Sequence, residues 1–132
     1  MAVDCLILGD SIAKGVSQIR KDCASYAKSG INSHDFNRKY YDKPKDARIV
    51  AISLGSNDYK GIKTFQELEY LRTAVNADRV LWILPYSKFD ARDAVMRVAD
   101  NFGDDVLEIE SVSPDQVHPT MKGYKDLAKK IR

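Results

Sequence analysis

The chain of 132 residues has little net charge, few cysteines and no long apolar run. No stretch approaches the roughly 20 apolar residues that a membrane-spanning helix requires, so we expect no membrane span. The net charge is only +2, and basic residues alternate with acidic ones along the chain. This pattern offers no basic surface for a nucleic acid. Membrane-spanning and nucleic-acid-binding proteins are therefore excluded as classes.

Cysteine and histidine are too scarce and too scattered to suggest a metal centre. The chain holds two of each, without ligand spacing, and it has no glycine-rich phosphate loop. We therefore expect neither a metal nor a cofactor. Cys5 and Cys23 lie among apolar or small residues, and we interpret them as two buried thiols in a reducing compartment rather than a disulfide. Residues 1–11 lack the basic lead of a signal peptide, so the predicted location is the cytoplasm.

The chain reads as one domain, 1–132, because no linker, repeat or low-complexity segment divides it. Apolar residues make up 44% and charged residues 30%, which is typical of a globular protein. Short apolar runs alternate with segments of helical periodicity, as in βα units around a parallel sheet. Five strands and about five helices imply a three-layer α/β/α sandwich. Strands are predicted at 3–8, 23–27, 48–54, 80–84 and 106–109.

Helices are predicted between these strands and after the last one. The first two are expected at 12–20 and 33–41. Thr64 and Glu67 form a capping-box pattern that predicts the start of the third. Asp90 is expected to cap the fourth helix and Gly103 to end it. A final helix is expected after Thr120.

Ser11 is a candidate nucleophile, because it follows the first apolar strand at the point where a helix begins. A serine hydroxyl needs an adjacent base to become nucleophilic. At such a turn the backbone N–H of Ser11 points in the same direction as the other unpaired N–H groups of the first helical turn. Together these groups favour a nearby anion. The alternative is that Ser11 is only the N-cap of this helix.

His118 is the candidate base, and Asp115 is its candidate partner. The two residues lie three positions apart on a short loop bounded by Pro114 and Pro119. This spacing lets the carboxylate reach a ring nitrogen, fix the tautomer and stabilise the imidazolium. The alternative is a surface Asp-His pair without a catalytic role. His34 has no acid partner in an obvious motif, and we interpret it as a solvated helix residue.

A glycine and an asparagine follow the next two strands. Gly30 lies in K-S-G-I-N after the second predicted strand, and Asn57 lies in L-G-S-N-D after the third. Each could be an ordinary turn residue. We expect Asp10 and Asp58 to brace their loops through backbone hydrogen bonds and not to take part in chemistry.

The motifs around these residues, taken in order, resemble the four sequence blocks of the SGNH hydrolases, also called the GDSL family of esterases and lipases. The blocks are centred on Ser11, Gly30, Asn57 and His118, and the resemblance spans nearly the whole chain. It implies a flavodoxin-like parallel sheet with strand order 2-1-3-4-5. It also implies an oxyanion hole formed by the backbone N–H groups of Ser11 and Gly30 and the side-chain amide of Asn57. In this family pattern Ser11, Asp115 and His118 are the catalytic triad.

The expected function is therefore a serine esterase that hydrolyses carboxylic esters through an acyl-enzyme. The connecting segments are shorter than is usual in the family, which predicts an open cleft with Tyr59, Tyr86 and Phe89 at its rim. Such a cleft favours a short acyl group, such as acetyl on a carbohydrate, so the expected partner is a small-molecule or glycan ester. An acyltransferase with the same triad and a non-catalytic glycan-binding module remain open, although a binder has no use for the Asp115–His118 pair. The sequence does not predict an oligomeric state.

Overall fold

The computed structural model describes residues 3–132, which alternate between strands and helices along the chain. The elements are β1 (Val3–Gly9), α1 (Ser11–Ile19), β2 (Ala24–Ala27), α2 (Ser33–Lys39), β3 (Asp46–Ser53), α3 (Thr64–Ala74), β4 (Asn76–Ile83), α4 (Phe89–Phe102), β5 (Asp105–Leu107) and α5 (Met121–Lys130). Within residues 3–132 the five strands pair in parallel in the order β2-β1-β3-β4-β5. The predicted three-layer sandwich and its flavodoxin-like strand order are confirmed.

The sheet is buried on both faces, which explains the near-continuous apolar runs of its central strands. Successive side chains of a strand point to opposite faces. In β1, Leu6 and Leu8 join a core cluster that includes side chains of α2, α3 and α4. Cys5 and Ile7 join a second cluster that includes side chains of α1 and α5. One helical layer thus contains α2, α3 and α4, and the other contains α1 and α5.

The helix α3 begins at Thr64, one residue earlier than a Thr64 cap implies, and the predicted capping box is wrong. The N-cap is Lys63, whose side chain makes no capping hydrogen bond within residues 3–132. The hydroxyl of Thr64 instead donates to Asp58 Oδ2 at 2.7 Å. The carboxylate of Glu67 bonds to Nδ1 of His34 at 2.8 Å. Both side chains are engaged by residues distant in sequence, and a local pattern cannot show such partners.

The cap predicted for α4 is also wrong, while its predicted end and the start of α5 are confirmed. Asp90 lies inside the first turn of α4, and the N-cap residue is Lys88. An acidic side chain in a first turn is still favoured by the helix dipole. The helix ends at Gly103. Thr120 caps α5 by accepting a hydrogen bond from the backbone N–H of Gly123.

A disulfide bond joins Cys5 to Cys23, so the prediction of two free thiols is wrong. The two Cα atoms are 4.6 Å apart, within the range that a disulfide requires. The cause is the register of β1 against β2, in which Leu6 lies opposite Ala24. The residues preceding these two, Cys5 and Cys23, therefore lie side by side. The argument for a reducing compartment loses its support, and the cytoplasmic location stays a prediction.

No helix within residues 3–132 is both long enough and apolar enough to cross a bilayer. The expectation about a signal peptide concerns residues 1–11. Met1 and Ala2 lie outside the described residues, and that expectation stays a prediction.

Candidate active site

The candidate residues follow the carboxyl ends of three neighbouring strands. Ser11 comes after β1, Gly30 after β2 and Asn57 after β3. Because β2, β1 and β3 are adjacent and parallel, these strands end at the same edge of the sheet. His118 reaches this edge from the loop before α5, and its Nε2 lies 2.8 Å from Ser11 Oγ.

A close approach of β1 to β3 shapes the turn that carries Ser11. Gly9 has φ +142°, and a Cβ atom at this position would lie 1.9 Å from the carbonyl oxygen of Ser53. The backbone N–H of Asp10 donates to this same carbonyl at 3.0 Å. Only glycine allows the backbone to come this close, so Gly9 fixes the direction in which the chain enters α1.

Asp10, and not Ser11, is the N-cap of α1. Its Oδ1 accepts hydrogen bonds from the backbone N–H groups of Ile12 at 3.0 Å and Ala13 at 3.5 Å. It also accepts from the hydroxyl of Ser53 at 3.0 Å. The bracing role expected for Asp10 is confirmed. Because the cap is supplied by its neighbour, the hydroxyl of Ser11 is free to bond to His118.

Burial raises the pKa of Asp10 from 3.8 to about 6, although the hydrogen bonds from Ser53, Ile12 and Ala13 act in the opposite direction. The side chain is inside the protein, with the residue only 1% exposed. Between pH 3.8 and about 6 the folded state therefore holds a proton that the unfolded state has lost. The stability contributed by Asp10 is complete below this window and falls as the pH rises through it.

Replacing Asp10 with asparagine is expected to remove this pH dependence while keeping an oxygen that accepts the same bonds. A shift of this size corresponds to about 3 kcal/mol. Most of this change falls between pH 4 and pH 7, so over that range the free energy of unfolding of Asp10→Asn should rise by about 2 kcal/mol relative to that of the wild type. Urea denaturation at both pH values measures the difference. The exposed Asp93→Asn is the matched control, and an equal difference at the two pH values for Asp10→Asn would contradict the prediction.

Asp115 and His118 form a hydrogen-bonded pair that presents Nε2 of the imidazole to Ser11. His118 Nδ1 lies 2.7 Å from Asp115 Oδ2. The other carboxylate oxygen accepts from the backbone N–H groups of Val117 and His118, both at 2.9 Å. The His118 side chain, followed by these two N–H groups and the Ser113 hydroxyl, holds the pKa of Asp115 well below its usual range. Asp115 thus stays a carboxylate beside the imidazole.

The loop that carries this pair is held by its own hydrogen bonds. The backbone N–H of Ser113 donates to the carbonyl of His118 at 2.8 Å. Gln116 has φ 61°, the one positive φ at a non-glycine residue in the described chain. Its carbonyl accepts from the hydroxyl of Ser87 at 2.7 Å, which ties the loop to the connection between β4 and α4. These bonds maintain a left-handed residue that is unfavourable in isolation.

The Gly30 and Asn57 loops are tied to each other. Asn57 Nδ2 donates to the carbonyl of Ile31 at 3.1 Å, which uses one of its two N–H groups. Gly30 has φ +79°, a left-handed conformation that glycine adopts readily. Within residues 3–132, the backbone N–H groups of Gly30 and Ser11 donate no hydrogen bond. Three donors are therefore unused at this edge of the sheet.

Asp58 braces the loop that holds Asn57, as expected. It accepts from the backbone N–H and the hydroxyl of Ser33, at 2.8 Å and 2.6 Å, and from the hydroxyl of Thr64. These bonds connect the N-termini of α2 and α3 to the turn after β3. All of its bonds are to structural elements, which agrees with a bracing role.

Comparisons with known proteins give matches at the level of structure. No protein-family model matches the sequence, and no curated protein matches it. A GDSL-like lipase from Parabacteroides merdae superposes with a TM-score of 0.73 at 15% identity, over 96% of this chain and 92% of that one. A GDSL-like lipase from Bacteroides thetaiotaomicron superposes with a TM-score of 0.66 at 16% identity, over 96% and 84%. The chain has the SGNH hydrolase fold.

An acetyl xylan esterase from the rumen bacterium Butyrivibrio proteoclasticus also shares this fold. The TM-score is 0.56 at 11% identity, and the superposition covers 98% of this chain and 62% of that chain. The superposition covers a smaller fraction of that enzyme because the enzyme is longer than this chain.

The depression that contains Ser11 is separate from the one that contains two of the predicted rim residues, whereas the sequence predicts a single cleft. Tyr59 and Phe89 line a depression of about 730 Å³, but Tyr86 does not. Ser11 lies in another depression, of about 550 Å³, which Met121 and Tyr124 also line. The predicted rim is therefore wrong for the space next to Ser11.

The sequence does contain one signal for Tyr124, namely a glycine inside helix α1. A Cβ atom at Gly15 would lie 2.4 Å from Cε1 of Tyr124. The missing side chain leaves room for the tyrosine ring between α1 and α5. Burial raises the pKa of Tyr124, and the carboxylates of Asp10 and Asp115 raise it further. The phenol therefore stays neutral beside the candidate triad.

His34 is an exposed residue of helix α2, as predicted, but it does have an acid partner. Its Nδ1 lies 2.8 Å from Glu67 Oε2. The two residues belong to the adjacent helices α2 and α3 and are far apart in sequence. His34 and Glu67 lie outside the depression that contains Ser11.

Proposed function

We propose that the protein is a serine esterase that hydrolyses carboxylic esters through an acyl-enzyme. The observation that carries this proposal is the hydrogen-bonded series Ser11 Oγ, His118 Nε2, His118 Nδ1 and Asp115 Oδ2, with contacts of 2.8 Å and 2.7 Å. Nucleophile, base and orienting acid are recognised by this geometry in unrelated folds. The fold shared with GDSL-like lipases supports the same reaction class.

In the proposed mechanism, Ser11 Oγ attacks the ester carbonyl carbon while its proton moves to His118 Nε2. The resulting imidazolium lies against the carboxylate of Asp115, whose low pKa keeps it charged. When the C–O bond to the alcohol breaks, His118 returns the proton to the leaving oxygen, and an acyl-Ser11 ester remains. Water then repeats the sequence with His118 as base and releases the carboxylic acid.

The proposed oxyanion hole uses the three unused donors described above. The backbone N–H groups of Ser11 and Gly30 and the second N–H of Asn57 Nδ2 would stabilise the negative charge of the tetrahedral intermediate. The bond from Asn57 to the carbonyl of Ile31 holds the amide in place before substrate arrives. Because the amide is already oriented, no free energy is needed to reorient it when the tetrahedral intermediate forms.

The proposed substrate carries a short acyl group, for example an acetyl ester of a carbohydrate. The short connections leave the Ser11 depression open, with only Met121 and Tyr124 as large side chains beside the helix α1 residues. A long lipid chain would need a deeper apolar channel to bury its surface. One structurally similar protein is an acetyl xylan esterase, which supports this choice.

Replacement of Asn57 by alanine is expected to lower kcat by about 10²–10³ with a much smaller change in KM, because the amide bonds to the oxygen mainly in the transition state. Steady-state kinetics with p-nitrophenyl acetate measures both constants. Asn101→Ala, an exposed position on α4, is the control variant. Since Asn57 also bonds to Ile31, the melting temperature must be compared. An unchanged kcat would mean that Asn57 only shapes its turn.

A serine-directed phosphonate tests the proposed function as a whole. We expect it to label one residue, Ser11, and to abolish esterase activity in proportion to labelling, because Ser11 is the one hydroxyl in residues 3–132 that is hydrogen-bonded to His118 Nε2. Peptide mass spectrometry locates the label. Ser29 lines the same depression, so Ser29→Ala should still be labelled and Ser11→Ala should not. Chelators should have no effect. A label elsewhere, or activity lost to EDTA and restored by zinc, would refute the proposal.

A further inference from the structure

A groove of about 490 Å³ lies between α2 and α3 and has no part in the proposed catalysis. Its lining is mainly polar and aromatic. The lining residues are His34, Asn37, Arg38, Tyr41, Glu67 and Tyr70. None of them lines the depression that contains Ser11.

Two tyrosine rings in the groove are open to solvent. Tyr41 is 72% exposed and Tyr70 is 59% exposed. A tyrosine ring combines a large apolar face with a polar hydroxyl, and such rings are enriched where a partner is bound. The C–H face of a pyranose ring is flat and weakly apolar, so it matches the face of a phenol ring.

The polar side of the groove is fixed by a hydrogen-bonded network. Asn37 is buried, and its Nδ2 donates to the Glu67 carbonyl and to Glu67 Oε1, both at 2.9 Å. Burial alone would raise the pKa of Glu67, but the bonds from His34 and Asn37 outweigh it and lower the pKa. Glu67 is therefore a carboxylate. In the neutral tautomer whose Nδ1 donates to this carboxylate, Nε2 of His34 is an acceptor.

Arg38 supplies the donors that the network lacks. Its guanidinium forms no ion pair in the part of the chain from residue 3 onward, and it lines the groove. An acceptor on His34, lone pairs on Glu67 and several N–H donors on Arg38 therefore face one space. Sugar hydroxyl groups both donate and accept, so they can satisfy this mixed set. A long apolar chain cannot satisfy it.

The groove lies near the edge of the sheet that carries the candidate triad. His34 is in the first turn of α2 and Glu67 is in the first turn of α3, and both helices start at the carboxyl ends of strands. Ser33, next to His34, bonds to Asp58, which follows Asn57. We infer that this groove is an accessory binding site for a polysaccharide chain. The inference that this polymer also carries the ester cleaved at Ser11 rests on the proposed function.

The inference is tested by binding in the Ser11→Ala background, which separates binding from hydrolysis. The probes are soluble xylan, hydroxyethylcellulose, galactomannan and polygalacturonate, each in affinity gel electrophoresis. We expect at least one to retard the protein, Tyr70→Ala to weaken that binding about tenfold or more, and Tyr41→Ala/Tyr70→Ala to abolish it. Tyr70→Phe, which keeps the ring, should retain most of the binding. Met96→Ala on α4 is the surface control, and circular dichroism shows whether each variant is folded.

Two outcomes would overturn the inference: retardation by none of the four polysaccharides, or binding that Tyr70→Ala leaves unchanged. Kinetics with p-nitrophenyl acetate keep this result separate from the proposed function. In a chain that retains Ser11, Tyr70→Ala should leave kcat/KM for this small ester unchanged. Ester hydrolysis without polysaccharide binding refutes only the groove site. Polysaccharide binding that depends on Tyr70, without ester hydrolysis, refutes only the esterase.

Discussion

Ser11→Ala is expected to lower kcat for p-nitrophenyl acetate by about 10⁶, the loss that removal of a triad nucleophile typically causes. The substitution deletes the atom that would form the acyl-enzyme, and no other hydroxyl is hydrogen-bonded to His118 Nε2 in the described residues. The fold should be unaffected, because Asp10 and not Ser11 caps α1. Kinetics at saturating substrate, with circular dichroism and the melting temperature, measure the two effects separately.

Ser17→Ala is the matched control for this prediction. Ser17 is on the same helix, and its hydroxyl bonds only locally, to the carbonyl of Lys14 at 2.7 Å. This variant should keep wild-type kinetics. Comparable turnover by Ser11→Ala, in a sample whose circular dichroism matches the wild type, would end the serine-esterase proposal.

His118→Ala is expected to be nearly as damaging as Ser11→Ala, and its effect should not add to that of Asp115→Ala. Asp115 touches His118 through the 2.7 Å contact and makes no direct contact with Ser11. Once the imidazole is absent, the carboxylate has no base to orient. The double variant should therefore be little worse than His118→Ala alone, and a double-mutant cycle on kcat measures the coupling.

Asp115→Asn refines this test, because it keeps the size of the side chain and removes its charge. In the wild type the pKa of Asp115 lies well below its usual range, so the carboxylate is charged at any pH suitable for the assay. An amide can orient the imidazole in the wrong tautomer, and the expected loss in kcat is about 10⁴. Ser113→Ala, which removes only one donor to Asp115, should have a much smaller effect. Strictly additive losses for Asp115→Ala and His118→Ala would show that the pair does not act as a unit.

The residue pattern was sufficient to predict the five strands, and the resemblance to the SGNH blocks implied their order. The apolar runs that end at Gly9 and Ser53 are too continuous for a one-sided sheet, and they are buried on both faces in the structure. β4 shows where such patterns fail, since it begins at Asn76 instead of position 80. Its first half pairs with β3 through backbone hydrogen bonds but exposes polar side chains such as Arg79. Strand pairing depends on backbone hydrogen bonds, and a hydropathy pattern does not detect them.

No local sequence pattern could predict which side chains that are distant in sequence become partners in the fold. The capping box at Thr64 and Glu67 is a sound local signal, yet both side chains bond to residues of other loops and helices. The sequence shows no acid partner for His34, because Glu67 comes near it only when α2 packs against α3. Cys5 and Cys23 meet only through the register of β1 and β2.

The sequence by itself determined which side chains follow the strands, because apolar runs and the residues directly after them are local properties. Together with the resemblance to the four SGNH blocks, this was enough to predict the candidates Ser11, Gly30 and Asn57. Tertiary structure alone decided the distances, which require the sheet order and the loop before α5 to bring His118 to within 2.8 Å of Ser11. It also decided the separation of the two depressions and the groove of His34 and Tyr70. Such spaces form where elements pack against one another, and packing is a property of the folded chain as a whole.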